Sequence, residues 1–141
     1  MKPIRIALLA LSLGAASCAT VANETLEAPP ALGQLESKTY LACMKKANGR
    51  LEQGNCINEE IKWQRTQMNQ LFGRLSAKLN EVQRVELAKS QKAWEVFLDA
   101  ESRFSVSFYD PLGGDSDLTV GTNKIMWITQ RRQQLYYHLD L

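Results

Sequence analysis

The sequence predicts an all-α protein, a single small domain of about four helices stapled by one disulfide. Apolar residues recur at three- and four-residue spacing along the longer segments, which is the period of a helix with one buried side. No segment shows the period-two alternation of a β-strand. The segments are joined by short to medium connections, and such helices pack as helical hairpins or a bundle.

Residues 1–22 have the pattern of a secretory signal peptide. Residues 1–5 are positively charged, residues 6–13 are apolar, and small residues follow. The apolar run is too short to span a bilayer. Ala15, Ala16 and Ser17 before Cys18 resemble a bacterial lipoprotein box, although leucine is usual where Ala15 stands. In that case Cys18 is lipidated and anchors the chain to the outer membrane. The alternative is cleavage after Ala22, which discards Cys18.

Residues 23–35 are predicted to form a flexible tether before the domain, which spans residues 36–141. This stretch lacks periodicity and contains Pro29, Pro30 and Gly33. Without Lys2 and Arg5 the 17 basic residues fall to 15, which equals the 15 acidic residues. A neutral chain is not typical of nucleic-acid binding. No later apolar run is long enough to cross a membrane.

The first helix is expected to begin near Ser37 as its N-cap and to stop at Asn48-Gly49. Cys43 lies in this helix, and Cys56 follows the turn. Apart from Cys18 they form an even pair in an exported domain, which favours a disulfide between helix and loop. Twelve residues separate them, and closing such a loop stabilises by roughly 3 kcal/mol. With one histidine in the chain, a zinc site is disfavoured.

The second and third helices are predicted over about residues 57–80 and 82–108. The apolar side of the second comprises Ile57, Ile61, Met68, Leu71, Phe72, Leu75 and Leu79. The third has a less regular apolar side of Leu87, Gln91, Trp94, Leu98, Glu101 and Phe104. Its two polar members need hydrogen-bond partners if they are buried.

An acidic loop is predicted over residues 110–122, because Pro111 and two adjacent glycines disfavour helix. Its acidic residues Asp110, Asp115 and Asp117 do not have EF-hand spacing, so no metal site is predicted and a solvated loop is favoured over calcium. A last helix follows over about residues 123–139, with an apolar side of Ile125, Ile128, Leu135 and Leu139.

Several short motifs resemble the lysozyme-inhibitor LprI-like family of small exported bacterial proteins, over about residues 43–135. The motif residues are Asn69 and Phe72 in the second helix, Gln91, Trp94 and Asp99 in the third, and Thr129, Arg131 and Arg132 in the last. The chain departs from the family pattern at Leu98, where arginine is usual, and at Ser102, where a cysteine of a second pair is usual. The resemblance implies one disulfide instead of two, and a lysozyme as partner.

The signature residues Gln91, Trp94 and Asp99 are interpreted as structural more readily than as a binding site. Trp94 is expected in the core, Gln91 bonded to backbone, and Asp99 paired with Arg131 or Arg132. If the core interpretation is right, Trp94→Ala should cost about 3–5 kcal/mol.

No catalytic residue and no cofactor are predicted. The only histidine, His138, lies near the end of the chain without an evident orienting carboxylate. Glu95 and Asp99 share a helix face, and paired carboxylates can cleave glycosides. Charges on a helix face are more typically solvated, so hydrolysis is the least favoured reading.

Partner binding is predicted at the acidic loop, through Tyr109, Asp110, Asp115 and Asp117. Lysozymes are often basic, so an acidic loop can be steered to them electrostatically. Two functions stay open. The first is an exported, non-enzymatic binding protein that resembles lysozyme inhibitors and occludes a target surface in the envelope. The second is a structural or accessory envelope protein or lipoprotein without a role towards lysozyme.

Overall fold

A computed structural model of the protein describes residues 35–113 and 116–140. It contains four α-helices and one short 3-10 turn. The helices are α1 (Lys38–Lys46), α2 (Arg50–Lys78), α3 (Glu81–Tyr109) and α4 (Ser116–Asp140), and the 3-10 turn is Asp110–Leu112. These residues contain no strand, and the prediction of an all-α domain with about four helices is confirmed. The predicted signal peptide, the tether up to residue 34, Cys18 and Asp115 lie outside the described residues.

The first helix begins and ends where its local sequence predicts. The Ser37 hydroxyl accepts a hydrogen bond from the Tyr40 backbone N–H at 2.9 Å, as an N-cap does. Gly49 reverses the chain with a φ of 110°, a conformation that favours glycine. Only three residues separate the two helices, so α2 starts at Arg50 rather than near residue 57.

The early start of α2 corrects the expected position of the disulfide. Cys43 and Cys56 are bonded, as predicted, with their Cα atoms 5.7 Å apart. Cys56 lies inside α2, so the bridge joins two helices rather than a helix and a loop. Residues 50–55 precede the predicted start of the second helix and lack apolar periodicity, yet they form a helical turn that is mostly exposed.

The larger core joins α2, α3 and α4. Its buried members are Met68, Leu71, Leu75, Leu98, Ile128, Leu135 and Leu139. A smaller cluster of Tyr40, Cys56, Ile57 and Ile125 attaches α1 to α2 and α4. All these α2 and α4 residues except Cys56 belong to the apolar sides that the sequence predicts.

The third helix is the least buried of the long helices. It starts at a capping box between Asn80 and Gln83, and only Leu98, Ser102 and Ser105 are buried along it. Phe104, predicted on the apolar side, is 60% exposed. The two serines lie on the side of α3 that faces the bundle, which places Phe104 on the neighbouring, solvent-facing side.

Residues 116–122 are helical, which corrects the predicted loop. They form the first two turns of α4, and Gly121 packs against Ile57 of α2. A Cβ at Gly121 would lie 2.5 Å from Ile57 Cγ2, so this glycine permits a close helix approach instead of breaking the helix. Among the described residues no helix is both long and apolar enough to cross a membrane.

Candidate functional site

A buried polar network ties the start of α1 to α2 and α4. Both oxygens of Glu60 accept hydrogen bonds from Ser37, one from its N–H at 3.0 Å and one from its hydroxyl. Gln64 donates to Glu60 and to the backbone oxygen of Leu35, and Arg132 donates to Gln64 and to the same backbone oxygen. Glu60 and Gln64 are almost fully buried, so these bonds offset the cost of removing them from water.

The signature residue Arg132 is part of that network. Its guanidinium carbon lies 4.9 Å from the centre of the Trp63 ring, a cation–π distance. Burial lowers the pKa of Arg132, and the negative charge of Glu60 opposes that shift. Arg132 therefore serves to join α4 to α2 and to the start of α1. Neither Glu60 nor Gln64 was predicted from the sequence, because each is a polar residue whose burial depends on an arginine about seventy positions later.

The other signature arginine, Arg131, joins α4 to α3. Its Nε donates to Gln91 Oε1 at 3.0 Å, and its Nη2 donates to the Ser90 hydroxyl at 3.1 Å. Gln91 was expected to bond to backbone and instead accepts from this side chain. The predicted pairing of Asp99 with an α4 arginine is wrong, because Asp99 pairs with Arg103 one turn later on α3.

The remaining signature residues differ in burial, from half-buried to exposed. Trp94 and Phe72 are half-buried and pack against the larger core. Asn69 is exposed, and Thr129 is half-buried on α4. The expected complete burial of Trp94 is therefore corrected to partial burial at the core edge.

The two carboxylates considered for hydrolysis are each bound by an arginine. Glu95 pairs with Arg65 of α2 at 3.1 Å, and Asp99 pairs with Arg103. A glycosidase needs one carboxyl protonated and the other free to act on water or sugar. The described residues also contain no group of three His, Cys, Asp or Glu side chains placed to hold a metal ion.

The residues predicted for partner binding are distributed over the end of α3 and the start of α4. Asp110 is exposed in the 3-10 turn, and Tyr109 is half-buried beside it. Asp117 lies in the first turn of α4 and pairs with Arg50 at 2.9 Å. The hydrogen bond from Arg50 holds the pKa of the Asp117 carboxyl below its usual range. Asp115 lies outside the described residues.

Beside Tyr109, α3 exposes an aromatic face formed by Phe97, Phe104 and Phe108. Their exposed fractions are 47%, 60% and 55%. The rings of Phe104 and Phe108 are 5.9 Å apart, and Phe108 meets Tyr109 edge-on at 5.1 Å. This exposed face was not predicted from the sequence, which placed Phe104 on the apolar side of the third helix. The signal was that α3 carries more apolar residues than one side of a helix can bury.

A separate apolar groove of about 550 Å³ lies between the start of α1 and α4. Leu35, Tyr40, Ile125 and Met126 line it together with Thr129. The Thr129 hydroxyl is buried and has no hydrogen-bond partner among the described residues. The volume of the groove is within the range of small-molecule pockets. The groove and the aromatic face are therefore both exposed apolar features of the part of the chain that the structure describes.

The comparisons with known proteins give one match. The model of a family described as lysozyme inhibitor LprI matches residues 42–135, about two thirds of the 141-residue chain. The match runs from the middle of α1 to most of the way along α4 and includes both cysteines of the disulfide. No similar curated protein and no similar solved structure was found.

Proposed function

Because the chain belongs to the lysozyme inhibitor LprI family, we propose that it is an exported, non-enzymatic protein that inhibits a lysozyme by covering its surface. The family match is the observation that carries this proposal. It spans the disulfide, the Arg131–Gln91 contact and most residues of both cores, so it concerns most of the helical scaffold and not one motif. Inhibition by occlusion needs a rigid scaffold and an exposed surface, and no chemistry of its own.

The rigidity of the scaffold supports this mode of action. The disulfide joins α1 to α2, the Glu60 network joins the start of α1 to α2 and α4, and the Arg131–Gln91 contact joins α4 to α3. The Arg65–Glu95 ion pair joins α2 to α3. A surface held this way loses little conformational freedom when it binds, which leaves more of the contact energy for affinity. The positions of Glu95 and Asp99, each bound to an arginine, also suit a binding protein better than a hydrolase.

The proposed target contact includes Tyr109, Asp110, Asp115 and Asp117, the acidic corner between α3 and α4. Asp110 is exposed and can meet positive charge on a basic lysozyme. Asp117 already pairs with Arg50, so its contribution to attraction is smaller than the sequence suggests. Within this proposal Asp110 is the better residue to test.

We further propose that residues 1–22 direct export and that Cys18 carries a lipid anchor at the outer membrane. Incorporation of labelled palmitate by the full-length chain in bacterial cells tests this. The wild type should be labelled and Cys18→Ser should not. An unlabelled wild type would instead support cleavage after Ala22 and release into the periplasm.

The experiment that tests the function follows the lysis of bacterial cell walls by several lysozymes of different classes. The protein, expressed from its full sequence and purified, should slow lysis by at least one of them at micromolar concentration. Absence of both inhibition and complex formation with every lysozyme would refute the proposal. It would favour a structural or accessory role in the envelope.

A further inference from the structure

We propose that the aromatic face of α3, Phe97, Phe104 and Phe108, is the contact surface for a positively charged protein of the lysozyme class. This inference rests on the proposed function and names the surface that performs it. From the sequence, target contact was predicted at the acidic loop together with Tyr109. The structure adds an apolar surface that continues from that corner along the helix.

Phe97, whose ring meets Trp127 of α4 edge-on at 6.4 Å, shares one side of α3 with Phe104 and Phe108. They are separated by seven and four residues, so they lie on the same side of α3. The distance from Phe97 to Phe108 along the helix is roughly 16 Å at about 1.5 Å per residue. Ring contacts connect Phe104 to Phe108 and Phe108 to Tyr109, and Leu112, 71% exposed, follows in the 3-10 turn.

The size of this surface suits the centre of an interface. A phenylalanine offers on the order of 200 Å². Half-exposure of three such rings, with Leu112, leaves about 400 Å² of apolar surface exposed. Patches of that size on monomers are often functional. A stable interface buries roughly 800 Å² on each partner, so polar and charged residues around the rings must supply the remainder.

The charges around the aromatic face select a positively charged partner. Residues 95–113 contain four acidic residues and one basic residue, Glu95, Asp99, Glu101, Asp110 and Arg103. The preceding part of α3, residues 81–94, contains two acidic and three basic residues. The acidic excess therefore belongs to the half of α3 that carries the phenylalanines.

Two of these acidic side chains are not neutralised by the fold. Glu101 lies between Phe97 and Phe104 on the same side of α3, and Asp110 follows Phe108. Neither side chain forms an ion pair or a hydrogen bond with another described residue. A basic partner would supply the missing positive charge. A second copy of this chain would place acidic residues against acidic residues, which disfavours a homodimer through this face.

The test compares two matched variants of the full-length chain. Phe104→Ser with Phe108→Ser removes the centre of the aromatic face. Met126→Ser is the control, because Met126 is 47% exposed, lines the groove between α1 and α4, and carries the same kind of change. The probe is a purified basic c-type lysozyme. Binding is measured by titration calorimetry, and wall lysis is measured alongside it.

We expect the double variant to lose at least about thirtyfold in affinity, as truncation of central aromatic residues does at protein interfaces. The Met126→Ser control should stay within about threefold of the wild type. The melting temperature of the double variant should not fall, because both side chains are largely exposed. If the double variant does not fold, Phe104→Ala alone replaces it, with an expected loss of about tenfold.

Three results would overturn the inference, and they are distinguishable. A folded Phe104 and Phe108 variant that binds and inhibits like the wild type would move docking away from this face while the proposed function stands. A wild type that neither binds nor inhibits any lysozyme would remove the proposed function, and this inference with it. A wild-type dimer that the double variant converts to a monomer would assign the face to a second copy.

Discussion

At the scale of single residues, two glycines inside helices have opposite roles. Gly121 allows α4 to approach Ile57 of α2, and it was interpreted as a loop residue because nothing local reveals that contact. A Cβ at Gly73 of α2 would meet nothing within 4 Å, so no close helix approach requires this glycine. The same residue type is therefore required at one position and only costly to helix stability at the other.

Gly121→Ala should lower the free energy of unfolding by about 1–3 kcal/mol. The new Cβ would lie 2.5 Å from the Cγ2 methyl of Ile57, a buried β-branched side chain with little room to move. Gly73→Ala is the matched control, and it should raise the free energy of unfolding by about 0.5–1 kcal/mol because alanine favours helix. Urea denaturation measures both. Equal effects of the two changes would contradict the close packing at Gly121.

The Asp117 carboxyl should titrate below the usual range of an aspartate. The hydrogen bond from Arg50 is the main cause of its lowered pKa, so Arg50→Met should move the pKa back towards its ordinary value near 4. Because the folded-state pKa is the lower one, the pair stabilises the fold above the ordinary pKa. That contribution is lost as pH falls through the folded-state pKa. NMR titration of the Asp117 side chain checks this, and an identical midpoint in Arg50→Met would refute the assignment.

At the scale of elements, the sequence predicts what depends on neighbours along the chain. Ser37 and Gly49 bound α1 through local backbone chemistry, and the apolar sides of α2 and α4 follow from helical spacing. The sequence does not predict what depends on distant partners. Burial of Glu60 requires Ser37 and Gln64, which in turn binds Arg132. Asp99 is an exception in the other direction, because it was assigned a distant arginine although its partner Arg103 lies four residues later on the same helix.

The disulfide should hold α1 to α2 without being required for the rest of the bundle. Replacing Cys43 and Cys56 by serine should lower the free energy of unfolding by roughly 3 kcal/mol, the value for closing a loop of this length. The larger core of α2, α3 and α4 contains neither cysteine, so most of the helical circular dichroism should remain. Loss of all helical signal at room temperature would show instead that the larger core depends on the disulfide.

At the scale of the whole molecule, the residues that join the helices differ from the residues that we propose contact a partner. The signature residue Arg131 donates a hydrogen bond to Gln91 of α3. Arg132 donates to Gln64 of α2 and to the backbone oxygen of Leu35, just before α1. The exposed phenylalanines lie on the solvent-facing side of α3, and the exposed Asp110 follows the end of this helix. The two motif arginines therefore hold the helices together and do not mark the candidate contact surface. The candidate contact surface emerged only when the structure revealed which side of α3 is left uncovered.

We propose that this protein acts on the lysozyme itself and does not protect the wall. Hydrolysis of a small soluble chito-oligosaccharide, with no wall present, distinguishes these two modes of action. If the lysozyme is the target, the protein suppresses this hydrolysis in proportion to its concentration and reaches its full effect at one molecule per lysozyme. Full lysozyme activity on the soluble substrate, at concentrations of the protein that protect walls, would contradict it.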